Sequence, residues 1–254
     1  MGRLTDRIAL ITGASRGFGQ AIARSFATEG ADVVVNYVTA AGEAERVVAD
    51  VRALGCRALA VQADVAREDD VARLVAAAVQ VFGRVDILVN SAGIMVRGHF
   101  LELPVGDYDR MMAINVKGTM FCTFHVLPGM AARREGRIIN LSSQLANLGS
   151  LGGGAGFAAY AASKGAVSSF TRAIAKEFGH CGITVNAIAA GSIETDMSRD
   201  LMDDAFKAKR IAELPAGRMG TVDDVAHVAL FLADPSSGFI TGQVIHASGG
   251  LVMA

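Results

Sequence analysis

The chain has 254 residues, and 24 Lys and Arg against 25 Asp and Glu give it a formal net charge of -1. A chain of this length can bury the core of one large domain, and no Pro-, Ser- or charge-rich linker divides residues 1–254. The balanced charge disfavours nucleic acid and membrane surfaces as partners, and no apolar run approaches the roughly 20 residues that cross a bilayer. We expect small molecules and further copies of the chain as partners.

The three cysteines, Cys56, Cys122 and Cys181, match neither a disulfide framework nor a metal-ligand pattern. No secretory apolar stretch follows the first methionine. These features predict a cytoplasmic protein without a metal site.

Short apolar runs alternate with helical patterns along the chain. The predicted strands include residues 7–12, 32–37, 57–62, 85–90, 136–143 and 243–247, with about seven expected in all. The predicted helices are residues 20–29, 44–54, 68–82, 104–133, 160–178, 197–214 and 222–232. This order predicts an α/β fold, a single-domain, doubly wound (Rossmann) parallel sheet with helices on both faces. Ligands of such sheets bind beyond the carboxyl ends of the strands.

A glycine-rich turn follows the first predicted strand and opens the first helix. Gly13 would permit the tight turn, Gly17 the approach of a pyrophosphate, and Gly19 close contact between helix and strand. The expected dinucleotide contacts in this turn are Gly13, Ser15, Arg16, Gly17, Phe18 and Gly19. A strand, a glycine turn and a helix in this order aim backbone N–H groups at a phosphate.

The end of the second strand bears on which dinucleotide binds. An NAD site usually has a carboxylate there, and an NADP site has a cation nearby instead. Here Asn36 and Tyr37 end the strand without an acid, and Arg16 lies in the glycine turn. NADP(H) is therefore favoured over NAD(H), although Arg16 as a solvated loop cation is the alternative.

Tyr160 and Lys164 are spaced to share one face of a helix. A cation within about 4 to 6 Å lowers the pKa of a phenol, so Tyr160 is a candidate general acid/base. The alternative is a boundary tyrosine beside a lysine that reaches for solvent. Ser143 ends the fifth strand, and its hydroxyl could hydrogen-bond a substrate carbonyl oxygen that Tyr160 protonates. Asn115 is an amide in the middle of a predicted helix, and it could equally be a core residue whose hydrogen bonds are satisfied.

With these motifs the chain resembles the short-chain dehydrogenase/reductase family over essentially its whole length, and most of all its 3-oxoacyl-[acyl-carrier-protein] reductase branch. The motifs that carry the resemblance lie at residues 12–19, 63–65, 90–93, 115, 143, 160–164, 183–186, 193–195 and 241–250.

The resemblance implies a role for each motif. Ser143 would polarise the substrate carbonyl, Tyr160 would protonate it, Lys164 would bind the nicotinamide ribose and lower the pKa of Tyr160, and Asn115 would hold a water of the proton relay. Further cofactor contacts are implied at Asp64 and Val65 (adenine), at Asn90, Ala92 and Gly93 (adjacent ribose region), and at Gly191, Ile193 and Thr195 (nicotinamide side).

Departures from the family pattern concern the substrate. The glycine-rich stretch 149–156 is a flexible flap or a tolerated surface insertion, and residues 192–215 form a lid in which Met197, Leu201 and Met202 line an apolar pocket or simply pack. Arg134 matches one of the family's two arginines that dock an acyl carrier protein, but Cys181 stands in place of the other.

The sequence thus predicts NADPH-dependent reduction of a ketone to a secondary alcohol. The expected partners are a small carbonyl or alcohol substrate and further copies of the chain in a homotetramer, and whether an acyl carrier protein also binds is left open. The alternatives are an NAD-dependent alcohol, sugar or hydroxysteroid dehydrogenase and a non-catalytic dinucleotide-binding sensor.

Overall fold

A computed structural model describes residues 2–150, 156–198 and 202–253. Seven parallel strands form one sheet in the order β3-β2-β1-β4-β5-β6-β7, as the alternating pattern predicts. The strands are β1 (Ile8–Ile11), β2 (Asp32–Tyr37), β3 (Ala58–Gln62), β4 (Ile87–Asn90), β5 (Gly136–Ser143), β6 (Ile183–Ala190) and β7 (Val244–Ala247). The order reverses between β1 and β4, which is where doubly wound sheets bind their ligands.

Helices cover both faces of the sheet. They are α1 (Gly17–Thr28), α2 (Ala41–Ala53), α3 (Glu68–Phe82), α4 (Val105–Met112), α5 (Gly118–Arg133), α6 (Leu145–Leu148), α7 (Ala158–Phe178), α8 (Asp204–Glu213) and α9 (Val222–Ala233). A π-helical turn, Ala113–Lys117, joins α4 to α5, and short 3-10 helices lie at Gly179–Cys181 and Pro235–Ser237.

The core has two apolar layers, one on each side of the sheet. Ile22 and Phe26 of α1 pack with α9 on one face, and Leu74 of α3 packs with Met130 of α5 on the other. Burial on both faces explains why the central strands are continuous apolar runs. Among the described helices, none combines the length and apolar character that crossing a membrane requires.

Two predicted helices differ from the observed ones by more than about three residues or by an interruption. The single helix predicted at 104–133 is interrupted by the π-helical turn. The helix predicted to begin at Met197 begins instead at Asp204, where the Asp203 carboxylate accepts a hydrogen bond of 2.7 Å from the Phe206 N–H and caps α8.

The start of this helix was predicted wrongly because Ser198 closes a local turn. Its hydroxyl donates to the Ile193 carbonyl over 3.0 Å and accepts from the Thr195 N–H over 2.9 Å. A serine that bonds nearby backbone competes with helix formation. Leu201 and residues 151–155 of the glycine-rich stretch lie outside the described residues.

Candidate active site

The glycine turn is shaped by close backbone contacts. A Cβ on Gly19 would lie 2.6 Å from the Gly13 carbonyl oxygen, and one on Gly13 would lie 2.9 Å from the Cα of Ala92. Gly17 has φ 57° and its missing side chain points into open space. Because no side chain among the described residues caps α1, its first N–H groups stay available to an anion.

Asn36 supports this turn from behind. Its side chain accepts from the Gly13 N–H over 3.2 Å and donates to the Ala63 carbonyl over 2.9 Å. These bonds tie together the ends of β1, β2 and β3. Tyr37 is half-buried beside it, and contact of either residue with a cofactor stays a prediction.

Asp64 and Val65 form the loop after β3. The Asp64 carboxylate accepts from the Ala66 N–H over 3.0 Å, which is a turn within the loop, and Val65 is buried against Gly118. The loop therefore ends at the same sheet edge as the glycine turn, where the predicted adenine contact would lie.

Asn90 belongs to a buried polar group behind the site. Its amide donates to Asn140 over 2.8 Å and to Thr123 over 3.3 Å, and Asn140 donates to Thr171 over 2.8 Å. The Asn90 Oδ1 has no hydrogen-bond partner among the described residues. The group links β4 and β5 to the helices that carry the remaining site residues.

Asn115 lies in the π-helical turn and is fully buried. Its Oδ1 accepts from the Ile94 N–H over 2.8 Å, and its Nδ2 donates to the Ile94 carbonyl over 2.9 Å and to the Ser163 hydroxyl over 3.1 Å. The amide thus fastens the loop after β4, including Ala92 and Gly93, to α7. Its predicted contact with a relay water stays a prediction.

The two serines that end β5 have different surroundings. The Ser142 hydroxyl donates to the Lys164 carbonyl over 3.0 Å and lies 2.8 Å from the Ser168 hydroxyl, which joins the strand to α7. The Ser143 hydroxyl accepts from the Leu145 N–H over 3.2 Å and hydrogen-bonds the Tyr160 hydroxyl. Ser143 is therefore the serine that can share a substrate oxygen with Tyr160.

The pKa of Tyr160 moves in the direction opposite to the expected one. Loss of hydration raises it to about 12, and the hydrogen bond from Ser143 offsets this only in part. The expected lowering by Lys164 is wrong for this arrangement, because that ammonium does not contribute to the shift. At neutral pH the phenol carries its proton.

Lys164 is 5% exposed, and burial lowers its pKa to about 8. Its Nζ donates to the Leu141 carbonyl over 2.7 Å and lies 5.8 Å from the centre of the Tyr160 ring. Gly93 faces it, since a Cβ there would lie 3.5 Å from Nζ. The ammonium is therefore held by β5 beneath the loop that follows β4.

A cavity of about 470 Å³ opens in front of Ser143 and Tyr160. Its apolar lining includes Phe18, Met95, Leu145, Phe157, Met197, Met202 and Phe206. Of the predicted pocket residues, Met197 and Met202 line it as expected. Its size is typical of a site for a small organic molecule.

The predicted nicotinamide segment lies on the wall of this cavity. Gly191, Ile193 and Thr195 all line it. A Cβ on Gly191 would lie 2.5 Å from the Cα of Ser248, so only glycine fits between β6 and the end of β7.

The sequence did not point to several residues that line the cavity, among them Gln144, Arg97 and Phe157. Gln144 follows Ser143 and is 3% exposed, and its Oε1 has no hydrogen-bond partner among the described residues. Arg97 extends from the loop after β4, and its guanidinium lies 5.9 Å from the centre of the Phe157 ring. Gln144 could have been found from its place directly after Ser143. No local pattern indicates that Arg97 meets Phe157, because the two residues are 60 positions apart.

The described residues fit a dinucleotide. The open space at Gly17 and the uncapped start of α1 would take the pyrophosphate, and the loops after β3 and β4 would flank the adenosine half. Lys164 and the segment from Gly191 to Thr195 would hold the nicotinamide half beside Tyr160. No cluster of three or more potential metal ligands occurs in the described part of the chain.

A doubly wound sheet, a glycine turn at its switch point and a Ser-Tyr-Lys group beside a small-molecule cavity define a dinucleotide-dependent oxidoreductase. Comparison with known proteins gives the family. The model of the family described as "Enoyl-(Acyl carrier protein) reductase" matches residues 13–252. The chain belongs to the short-chain dehydrogenase/reductase family and is an NAD(P)-dependent enzyme that acts on C=O and CH–OH groups.

The relatives point to one branch of this family. The chain is 40% identical over 248 residues to the 3-oxoacyl-[acyl-carrier-protein] reductase FabG of Staphylococcus epidermidis, covering 98% of this chain and 100% of the relative. It is 41% identical over 252 residues to the (2S)-[(R)-hydroxy(phenyl)methyl]succinyl-CoA dehydrogenase subunit BbsD of Thauera aromatica, covering 97% of each. A crystal structure of a candidate gluconate dehydrogenase from Agrobacterium tumefaciens superposes with a TM-score of 0.92 at 34% identity, over 99% of this chain and 98% of that one.

Proposed function

We propose that the protein reduces a ketone to a secondary alcohol with NADPH, and that Tyr160 donates the proton. The observation that carries this proposal is that Tyr160 and Ser143 together line the wall of a cavity that also includes Phe18 of the glycine turn. The nicotinamide, when bound, supplies the hydride. The protein has to orient the carbonyl and to protonate its oxygen.

The protonation state of Tyr160 suits the proton-donating step of a reduction. A phenol whose pKa is raised to about 12 is protonated at neutral pH and is ready to give its proton to an oxygen that gains negative charge. Ser143 has a hydroxyl within reach of the same oxygen, so it can stabilise that charge.

Lys164 and Asn115 assist Tyr160 in this proposal by binding the cofactor and by holding the loop and water beside it. A buried ammonium beneath Gly93 is placed to bind the ribose of a nicotinamide nucleotide. Asn115 fixes the loop that carries Gly93 and would hold a water that returns the proton.

We assign the cofactor as NADP(H) from the electrostatics of the glycine turn. Arg16 is exposed, and no carboxylate in the described residues pairs with it; β2 ends in Asn36 and Tyr37 without an acid. An exposed guanidinium there suits a ribose 2′-phosphate.

Arg16→Ala tests this assignment. We expect it to lower kcat/KM for NADPH by about tenfold or more while changing kcat/KM for NADH little, because only NADPH carries the additional phosphate. Initial rates with both nucleotides and one ketone measure it. A wild-type enzyme that prefers NADH contradicts the assignment.

We infer the substrate class from the similarity to 3-oxoacyl-[acyl-carrier-protein] reductases. The name of the Staphylococcus relative denotes a 3-oxoacyl thioester on a carrier protein, and we propose a 3-oxoacyl thioester or a similar small ketone here. Docking of a carrier protein has less support, because the Arg134 side chain is used in a hydrogen bond of 2.7 Å to the His180 carbonyl and Cys181 replaces the second arginine.

We propose a homotetramer in the cytoplasm. Met120 and Phe124 of α5 are 41% and 65% exposed, which is a large apolar area for the surface of one chain. Its cysteines are free thiols, as in proteins of a reducing compartment.

Tyr160→Phe tests the catalytic assignment. We expect kcat to fall by about a thousandfold or more, because the ring still fills its place but no proton can be delivered. The loss of NADPH absorbance with acetoacetyl thioesters and diketones measures turnover, and fluorescence of bound NADPH verifies that the variant still holds the cofactor. A variant with near wild-type turnover would remove Tyr160 from the mechanism.

A further inference from the structure

We propose that the substrate carries a carboxylate on the same small molecule as its ketone, and that Arg97 binds this carboxylate. This proposal rests on the proposed ketone reductase activity and adds the chemical class of the substrate. Nothing in the reaction itself requires a cation at this place.

Arg97 is the one cationic side chain among the described residues that line the cavity. It is exposed, and no carboxylate of the described residues lies within ion-pair distance of its guanidinium. The other charged residue of the lining, Asp203, has its carboxylate engaged in capping α8. The charge of Arg97 is therefore open to a ligand.

Two contacts fix Arg97 relative to Tyr160. The guanidinium lies over the ring of Phe157, which is 4% exposed, and the neighbouring Gly98 N–H donates to the Gly156 carbonyl over 3.1 Å. Phe157 precedes Tyr160 by one helical turn, so the two rings lie on the same side of the start of α7. The cation and the proton donor thus face one cavity from neighbouring positions.

The chemistry of the site selects a carboxylate. A guanidinium forms two parallel hydrogen bonds with a carboxylate, and a position over an aromatic ring leaves its N–H donors free for such a pair. Met95 and Leu145 of the lining are apolar and offer the anion no hydrogen bond. Because Arg97 and Tyr160 share a cavity of about 470 Å³, the carboxylate and the ketone belong to one small molecule.

The test compares straight-chain oxo acids, with the ketone one to four carbons from the carboxylate, against their methyl esters at saturating NADPH. For the best chain length we expect the wild type to have a kcat/KM for the acid about tenfold or more above that for the ester. Arg97→Gln should lower this acid-to-ester ratio by about tenfold to a hundredfold, mainly through KM, and Arg97→Lys should restore part of it.

The matched control is Arg46→Gln, which removes the same charge from an exposed position on α2 that does not line the cavity. We expect its acid-to-ester ratio to equal that of the wild type. A wild type that reduces esters as well as acids overturns the proposal, and so does an Arg97→Gln variant that lowers both activities in the same proportion.

Acetoacetyl-CoA provides a further arm. Arg97→Gln could slow the reduction of acetoacetyl-CoA although the wild type reduces free acids no faster than their esters. Arg97 would then bind a phosphate of coenzyme A, and the carboxylate proposal would be refuted. If neither acids, esters nor thioesters are reduced, the proposed function itself fails. Reduction of esters and acids at equal rates removes only the role of Arg97.

Discussion

The cavity has two walls that are built in different ways. The wall formed by β5 and α7 is buried and joined by side-chain hydrogen bonds, in which Ser142, Ser168 and Lys164 all take part. The opposite wall, formed by Met197, Met202 and Phe206, consists of apolar side chains that are partly or largely exposed. The first wall holds the groups that move a proton, and the second shapes the space for whatever is reduced.

This difference indicates that chemistry and specificity are carried by separate parts of the fold. Proton transfer requires donor and acceptor to be held within a few tenths of an ångström, which a hydrogen-bonded wall provides. A pocket wall of flexible apolar side chains can be altered without disturbing the reacting groups. Substitutions in the two walls should therefore have effects of different kinds.

Ser143→Ala should have the largest effect of the three changes that probe this contrast. We expect kcat to fall by about 100- to 1,000-fold, because the substrate oxygen loses a fixed donor. Steady-state rates with the best ketone measure it. Ser142→Ala is the control, since among the described residues the Ser142 hydroxyl bonds only to α7; it should lower stability without a comparable loss of kcat. An equal loss of kcat in both variants would contradict the distinct roles of the two serines.

Lys164→Met should change how stability depends on pH. The pKa of Lys164 is about 8 in the folded protein against 10.5 for the free side chain, so between these values the unfolded chain binds more protons. The free energy of unfolding of the wild type should therefore gain roughly 2 kcal/mol from this group between pH 8 and 10.

Urea unfolding at pH 8 and pH 10 measures this gain, which the Lys164→Met variant should lack. Lys176→Met, an exposed position on the same helix, is the control and should keep it. An equal rise in the free energy of unfolding of both variants would show that Lys164 is not the buried cation of the wall formed by β5 and α7.

Phe206→Ala probes the apolar wall and should have the smallest effect on the chemistry. We expect KM to rise by about three- to tenfold and kcat to stay within about threefold, because contact area is lost but the proton donor is undisturbed. Ile211→Ala, on α8 but outside the cavity lining, controls for weakening of the helix itself. A large fall of kcat for Phe206→Ala would mean that the lid also positions the reacting groups.

Much of the architecture was accessible from the sequence because it depends on local periodicity. Apolar runs that alternate with helical patterns predicted the parallel sheet, and the bounds of β2 and β5 agree with the prediction. The glycine turn and the Tyr160–Lys164 spacing are likewise local features, since both follow from residues within one turn or one helix.

The sequence determined which groups stand at the carboxyl edge of the sheet, because strand order and helical spacing place them there. Only the tertiary structure decided their chemical state. Burial raises the pKa of Tyr160, Ser143 rather than Ser142 bonds to it, Asn115 is clamped to Ile94, and Arg97 reaches Phe157. Each of these depends on groups from separate elements meeting in a medium with little water, and no local pattern encodes how much hydration is lost or which partners remain.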